Sequence, residues 1–146
     1  MSTLLIATSG LSAASLRLNV AANNIANAFT TGPLPATNGS GAQAVGAGSS
    51  NVNSNFPAVY TPLQVNQTDQ ANGGTVATVA PVSPGFVTQY DPSAPFANQD
   101  GLVASPNVDL ASQFVQLLTA KYSFAANAKV IQTYADTTKS LLDITA

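Results

Sequence analysis

The chain has 146 residues, the size of one ordinary domain, and contains no His, Cys, Trp or Glu. Its charged residues are Arg17, Lys121, Lys129, Lys139, Asp69, Asp91, Asp100, Asp109, Asp136 and Asp143, for a net charge of -2. That inventory lacks the usual general base, the thiolate nucleophile and the softer metal ligands, and it is too poor in basic groups to track phosphates. We therefore expect no catalytic residue, no metal site, no cofactor and no nucleic-acid partner.

No charge falls between Arg17 and Asp69. Asn, Gly, Ser, Thr and Pro fill that span, and no run of ~18 apolar residues occurs, so membrane insertion is not expected. Met1-Ser2-Thr3-Leu4-Leu5-Ile6 lacks the basic region of a secretory signal, and sequence rules alone give a cytoplasmic address. The absence of Cys excludes a disulfide framework and fits any compartment.

Three segments follow one another: an N-terminal helical segment (1–29), a linker or loop region with a short β-hairpin (30–106), and a C-terminal helical segment (107–146). Residues 3–28 are rich in Ala and Leu and free of Pro, with the first strong break at Thr31-Gly32-Pro33. Leu4, Leu11, Leu18 and Ile25 recur every seven residues, and Ala7, Ala14, Ala21 and Ala28 follow each by three. This is an a/d seam in which Ala at alternate positions admits a partner helix closely. Asn19, Asn23 and Asn27 form a stripe on another side of the same helix. Asn is a poor helix former, and a merely solvated face would ordinarily use Glu or Lys. An uncharged amide stripe can bond to neighbouring protomers without the cost of burying charge.

The middle region holds every proline and all glycines but Gly10. Thr75–Val79 and Phe86–Tyr90 are β-rich and flank Pro81-Val82-Ser83-Pro84-Gly85, which predicts a hairpin. Residues 33–55 have linker composition. The region is either an idle connection or an arm folded over to meet a neighbour.

Residues 108–143 lack Pro and Gly and read as one long helix, with Asn107 as N-cap and Asp109 in the first turn. Phe114, Leu117, Phe124, Ala128, Ile131, Ala135 and Leu142 form its seam. The predicted fold is thus mainly α, with long terminal helices pairing as a coiled coil, antiparallel with Leu4 near Leu142, around a small β-hairpin or irregular middle. Two such helices cover each other on one face only, so oligomerisation is the expected remedy. The Asp residues show no paired-carboxylate or metal-ligand spacing, and Gly73-Gly74 lacks the context of a phosphate cradle. The rival to a polymerising subunit is a secreted binding module built on a monomeric helical hairpin.

Ser9-Gly10-Leu11 leading through Arg17-Leu18-Asn19-Val20 into Ala22-Asn23-Asn24-Ile25-Ala26-Asn27 resembles the N-terminal signature of flagellar rod and hook proteins. Pro106-Asn107-Val108-Asp109-Leu110, followed by Ala126-Asn127-Ala128-Lys129-Val130-Ile131, resembles their C-terminal signature. The short chain and the Tyr90-Asp91-Pro92 segment are most similar to the short proximal-rod members, with a distal-rod or hook type as the alternative. Ser112-Gln113 stands where relatives commonly carry an acidic pair, and Tyr122 and Phe124 where they often have Arg and Tyr.

The resemblance implies a structural subunit of the basal-body rod whose partners are copies of itself, other flagellar rod proteins and the flagellar type III export apparatus. It further implies export without a cleaved signal peptide, use in the periplasmic part of the basal body, and terminal helices that order on polymerisation.

Overall fold

A computed structural model describes residues 3–35 and 55–145. In chain order the elements are α1 (Thr3–Asn27), β1 (Leu63–Asp69), β2 (Thr75–Pro81), β3 (Phe86–Tyr90), β4 (Leu102–Pro106) and α2 (Leu110–Thr145). The protein is mainly helical with a β middle, and most of the 33–55 linker expectation lies outside the described residues. The chain divides into two compact units. One takes the described residues among 1–22, 65–79 and 111–146, and the other those among 23–64 and 80–110.

The strands pair differently from the expected hairpin. β2 pairs with β1, and β3 with β4, in separate two-stranded sheets. The short β1–β2 connection requires antiparallel pairing, since parallel strands need a crossover of about a dozen residues or more. Gly73 and Gly74, at φ of 85° and 91°, close the turn, with the Gly73 N–H donating to Gln70 O at 2.8 Å and the Gln70 N–H to Gly74 O at 3.1 Å. Such φ values cost little only for glycine. At the end of β2 and in the connection to β3, Pro81 and Pro84 offer no N–H, and the Val82 N–H donates to Pro62 O. β3 runs antiparallel to β4 with Phe86 opposite Pro106 and Tyr90 opposite Leu102.

Within the second unit, β4 lies at the centre of the core. Val103 and Ala104 are fully buried, and Gly32 exchanges two backbone bonds with Ala104 across the edge away from β3. The Asp91–Gly101 loop is closed by Asp91 N–H to Gly101 O, and Asn98 Oδ1 accepts from the Asp100 and Leu102 N–H groups. Phe56 meets Phe96 edge to face, centroids 5.6 Å apart.

Asn107 is not the helix N-cap. Its backbone N–H donates to Gly85 O and its side chain to Pro84 O at 3.0 Å, tying the start of β3 to the end of β4. α2 begins at Leu110, which puts Asp109 rather than Asn107 in the capping position.

Candidate assembly interface

In the first unit, α1 and α2 meet where neither carries bulk. A Cβ placed on Gly10 would fall 2.8 Å from both amide heteroatoms of Asn127. Asn127 is held there by its own helix, its Nδ2 donating to Ser123 O at 2.8 Å. Arg17 shares a cavity with Val115, Gln116 and Thr119, and Thr3 shares one with Val130, Thr133, Tyr134 and Thr137. As numbers rise along α1 they fall along α2, so the two helices run antiparallel.

The register differs from the expected one. With Gly10 opposite Asn127, Leu4 falls opposite residue 133, and Leu142 stands nine residues, about 13 Å, further along. Leu142 is accordingly 65% exposed. The expected facing of Leu4 and Leu142 is therefore replaced by an α2 end that runs past α1. The expectation aligns helix ends, whereas the close approach at Gly10 sets the offset.

On α1, Ala7, Ala14 and Ala21 are buried, and Leu4, Leu11, Leu18 and Ile25 are half-buried. On α2, the covered stripe runs through Leu110, Gln113, Leu117, Ala120, Ser123, Asn127 and Ile131, with Ala120 at 0% exposure. Leu117 and Ile131 belong to both the expected seam and this stripe, and Ala128 beside it is half-buried. Phe114 is 54% exposed, and Phe124, Ala135 and Leu142 are exposed as well. Polar Gln113 and Asn127 occupy facing positions that apolar patterning passes over.

Asn19 and Asn23 are exposed; Asn27 is half-buried and turns its amide N–H to Asn23 O at 2.9 Å. The asparagine that sequence reading misses is Asn24, at 1% exposure. Within the second unit its Nδ2 donates to Leu63 O at 2.7 Å, and its Oδ1 accepts from the Leu63 N–H and the Tyr60 hydroxyl, each at 3.0 Å. One amide thus reproduces the pairing of a neighbouring strand on both backbone groups of Leu63. Burial pushes the Tyr60 hydroxyl above its ordinary pKa, which keeps it the donor. Ser9 plays a smaller counterpart role in the first unit, accepting from the Thr75 N–H at 3.2 Å.

The far half of α2 is lined by hydroxyls that bond within the helix. Thr133, Thr137, Thr138 and Ser140 each donate to the carbonyl four residues back. Among the described residues no group of His, Cys, Asp or Glu is clustered to hold a metal. α1 is long and apolar enough to cross a membrane by composition. It nevertheless carries Arg17 and four asparagines, side chains that are costly in hydrocarbon, and its alanine line is packed against protein.

Two family models match the ends of the chain: flagella basal body rod protein over residues 4–33, and flagellar basal body rod FlgEFG protein C-terminal over residues 99–144. These ends are the two long helices, so the fold is that of a structural subunit of the bacterial flagellar rod, not an enzyme. The flagellar basal-body rod protein FlgC of Salmonella typhimurium is 35% identical over 131 residues, covering 88% of this chain and 84% of its own length. That of Agrobacterium fabrum is 31% identical over 141 residues, covering 95% and 90%, and that of Bacillus subtilis 28% over 139 residues, covering 94% and 89%. The chain belongs to the flagellar basal-body rod protein FlgC family.

Proposed function

We propose that this rod subunit polymerises through its terminal helices in the proximal rod. In each copy α1 and α2 pair as a coiled coil, and the seam residues left exposed, Phe114, Phe124, Ala135 and Leu142, are buried with the other uncovered faces of α2 by other copies and by other flagellar rod proteins. The observation that carries this reading is the apolar surface α2 leaves outside. Phe114, Val115, Leu118, Tyr122, Leu141, Leu142 and Ile144 are all exposed on a 36-residue helix. Exposed apolar patches of that kind, one over residues 114–122 and one over 141–144, mark interaction sites. Asn19, Asn23 and Asn27 contribute uncharged contacts between protomers.

In this reading the subunit passes through the flagellar type III export apparatus without a cleaved signal peptide and without inserting in the membrane, and it is used in the periplasmic stretch of the rod. Membership of the basal-body rod family supports the end point of that route, the basal body. Deleting the gene should abolish swimming and leave basal bodies without a rod, and plasmid-borne copies should restore both. A deletion strain that swims normally refutes the reading. Ala14→Leu combined with Ala21→Leu, in a strain otherwise intact, should yield an exported subunit that fails to assemble, because overpacking costs ~1–3 kcal/mol at each site.

A further inference from the structure

Successive side chains on α2 point about 100° apart. Phe114, Leu118 and Tyr122, four residues apart and each at least half exposed, therefore form one ridge. It stands roughly 130° round the helix from Gln113, Leu117 and Ala120, which face α1. Past Tyr122 the outer apolar surface changes sides. Ala126, Val130, Thr133 and Thr137 stand three and four residues apart, about 90° round from the ridge. With Thr3 of α1 they wall a groove of about 510 Å³. Ridge and groove belong to one continuous helix in the first unit, so a copy cannot place its own ridge in its own groove.

The chemistry of the groove selects what enters it. Thr133 and Thr137 donate their protons to Lys129 O and Thr133 O, at 2.9 and 2.8 Å, so each offers an occupant an acceptor only. Lys129, at the end beside Ala126, carries an ammonium that attracts the face of an aromatic ring. The groove thus suits an apolar ridge with a ring at one end and a hydroxyl proton at the other. Phe114, Leu118 and Tyr122 make such a ridge, and no described residue accepts from the Tyr122 hydroxyl. The other exposed patch on α2, Leu141, Leu142 and Ile144, has neither ring nor hydroxyl and fans out over about 160°.

We propose that the ridge of one copy lies in the groove of a second copy. Phe114 packs on Ala126 beside the Lys129 ammonium, Leu118 on Val130, and the Tyr122 hydroxyl donates to Thr133 or Thr137. This order requires the two α2 helices to run parallel, staggered by about 14 residues, or about 20 Å. Two different surfaces meet, so the contact is heterologous. Each added copy leaves a free ridge at one end and a free groove at the other, whereas a two-fold contact would stop at a dimer. The inference deepens the proposed polymerisation through the terminal helices and rests on it.

The test uses the full chain in swimming cells. Ala126→Phe fills the groove from an exposed position and should shrink the swim ring to the non-motile background. Adding Phe114→Ala clears the facing position and should recover at least half of the wild-type diameter. Because the chain has no cysteine, two differently tagged copies carrying Tyr122→Cys and Thr137→Cys should give a disulfide-linked dimer in isolated basal bodies treated with an oxidant. Copies carrying Phe114→Cys and Thr137→Cys should give none. An Ala126→Phe strain that swims normally overturns the docking, as does a double variant no better than the single one. Absence of the 122–137 dimer overturns it too, and so does a 114–137 dimer in its place, which would make the helices antiparallel. The cysteine pairs decide the matter if Ala126→Phe fails to fold. A wild-type chain missing from basal bodies would instead refute the rod reading itself.

Discussion

Replacing Gly10 with alanine sets two effects of similar size against each other. In the middle of α1 the change removes a residue that disfavours helix, a gain of about 1 kcal/mol. The new Cβ would stand 2.8 Å from Nδ2 and Oδ1 of Asn127 and 2.9 Å from its Cγ, so the amide must move. Moving it breaks the Nδ2 bond to Ser123 O, worth about 1 kcal/mol, and overpacks the contact by a further ~1 kcal/mol or more. Gly10→Ala alone should therefore cost about 1 kcal/mol net. In an Asn127→Ala background the obstruction is gone, and the same change should stabilise by about 1 kcal/mol. The coupling of about 2 kcal/mol lies well above what independent sites show. Urea unfolding of the four purified proteins, followed by circular dichroism, measures it. A gain of equal size in both backgrounds would mean that α1 and α2 do not meet at Gly10, and the antiparallel register would fall with it.

Asn24→Ala should destabilise the chain by about 2–4 kcal/mol, because it strands both backbone groups of Leu63 and the Tyr60 hydroxyl; a thermal melt unchanged within error would refute that role. Tyr60→Phe should cost about 1 kcal/mol at neutral pH. Since the folded pKa of Tyr60 is raised above its unfolded value, near 10, the bond contributes fully below about pH 10 and is lost as pH climbs through the folded value. The difference in melting temperature between wild type and Tyr60→Phe should thus be steady up to about pH 10 and shrink above it. Truncation from Lys139 removes Leu141, Leu142 and Ile144, each worth ~1.5–3 kcal/mol once buried by a neighbour. Export should continue while rods fail to form, as counted in electron micrographs of basal bodies.

The helices are legible because their signal is local. Leu or Ile at four positions seven residues apart, with Ala between them, marks α1, and a long stretch without Pro or Gly marks α2, without reference to anything distant. Strand partners are not local. β1 is Leu63-Gln64-Val65-Asn66-Gln67-Thr68-Asp69, whose Gln, Asn and Asp hide its strand character, so Thr75–Val79 reads as the partner of the more obvious Phe86–Tyr90.

The interface is partly legible for a related reason. Apolar patterning favours Phe114 over Gln113 and passes over Asn127, yet Gln113 is covered where Phe114 is exposed, and Asn127 is covered along with Ala128. Asn24 does leave a signal. It falls three residues after Ala21 and four before Ala28, on the buried alanine line, whereas Asn19, Asn23 and Asn27 step off it. Residue type conceals what angular position could tell.

The hydroxyls of Thr133, Thr137, Thr138 and Ser140 have a mechanical consequence. Each already donates its proton to a carbonyl of its own helix, so toward a neighbour it can only accept. When neighbouring helices in a twisted shaft are sheared by a fraction of a turn, bonds of this kind travel with the helix and none is torn. What the four hydroxyls keep for a neighbour is lone pairs, so a helix lying beside them is selected for its donors.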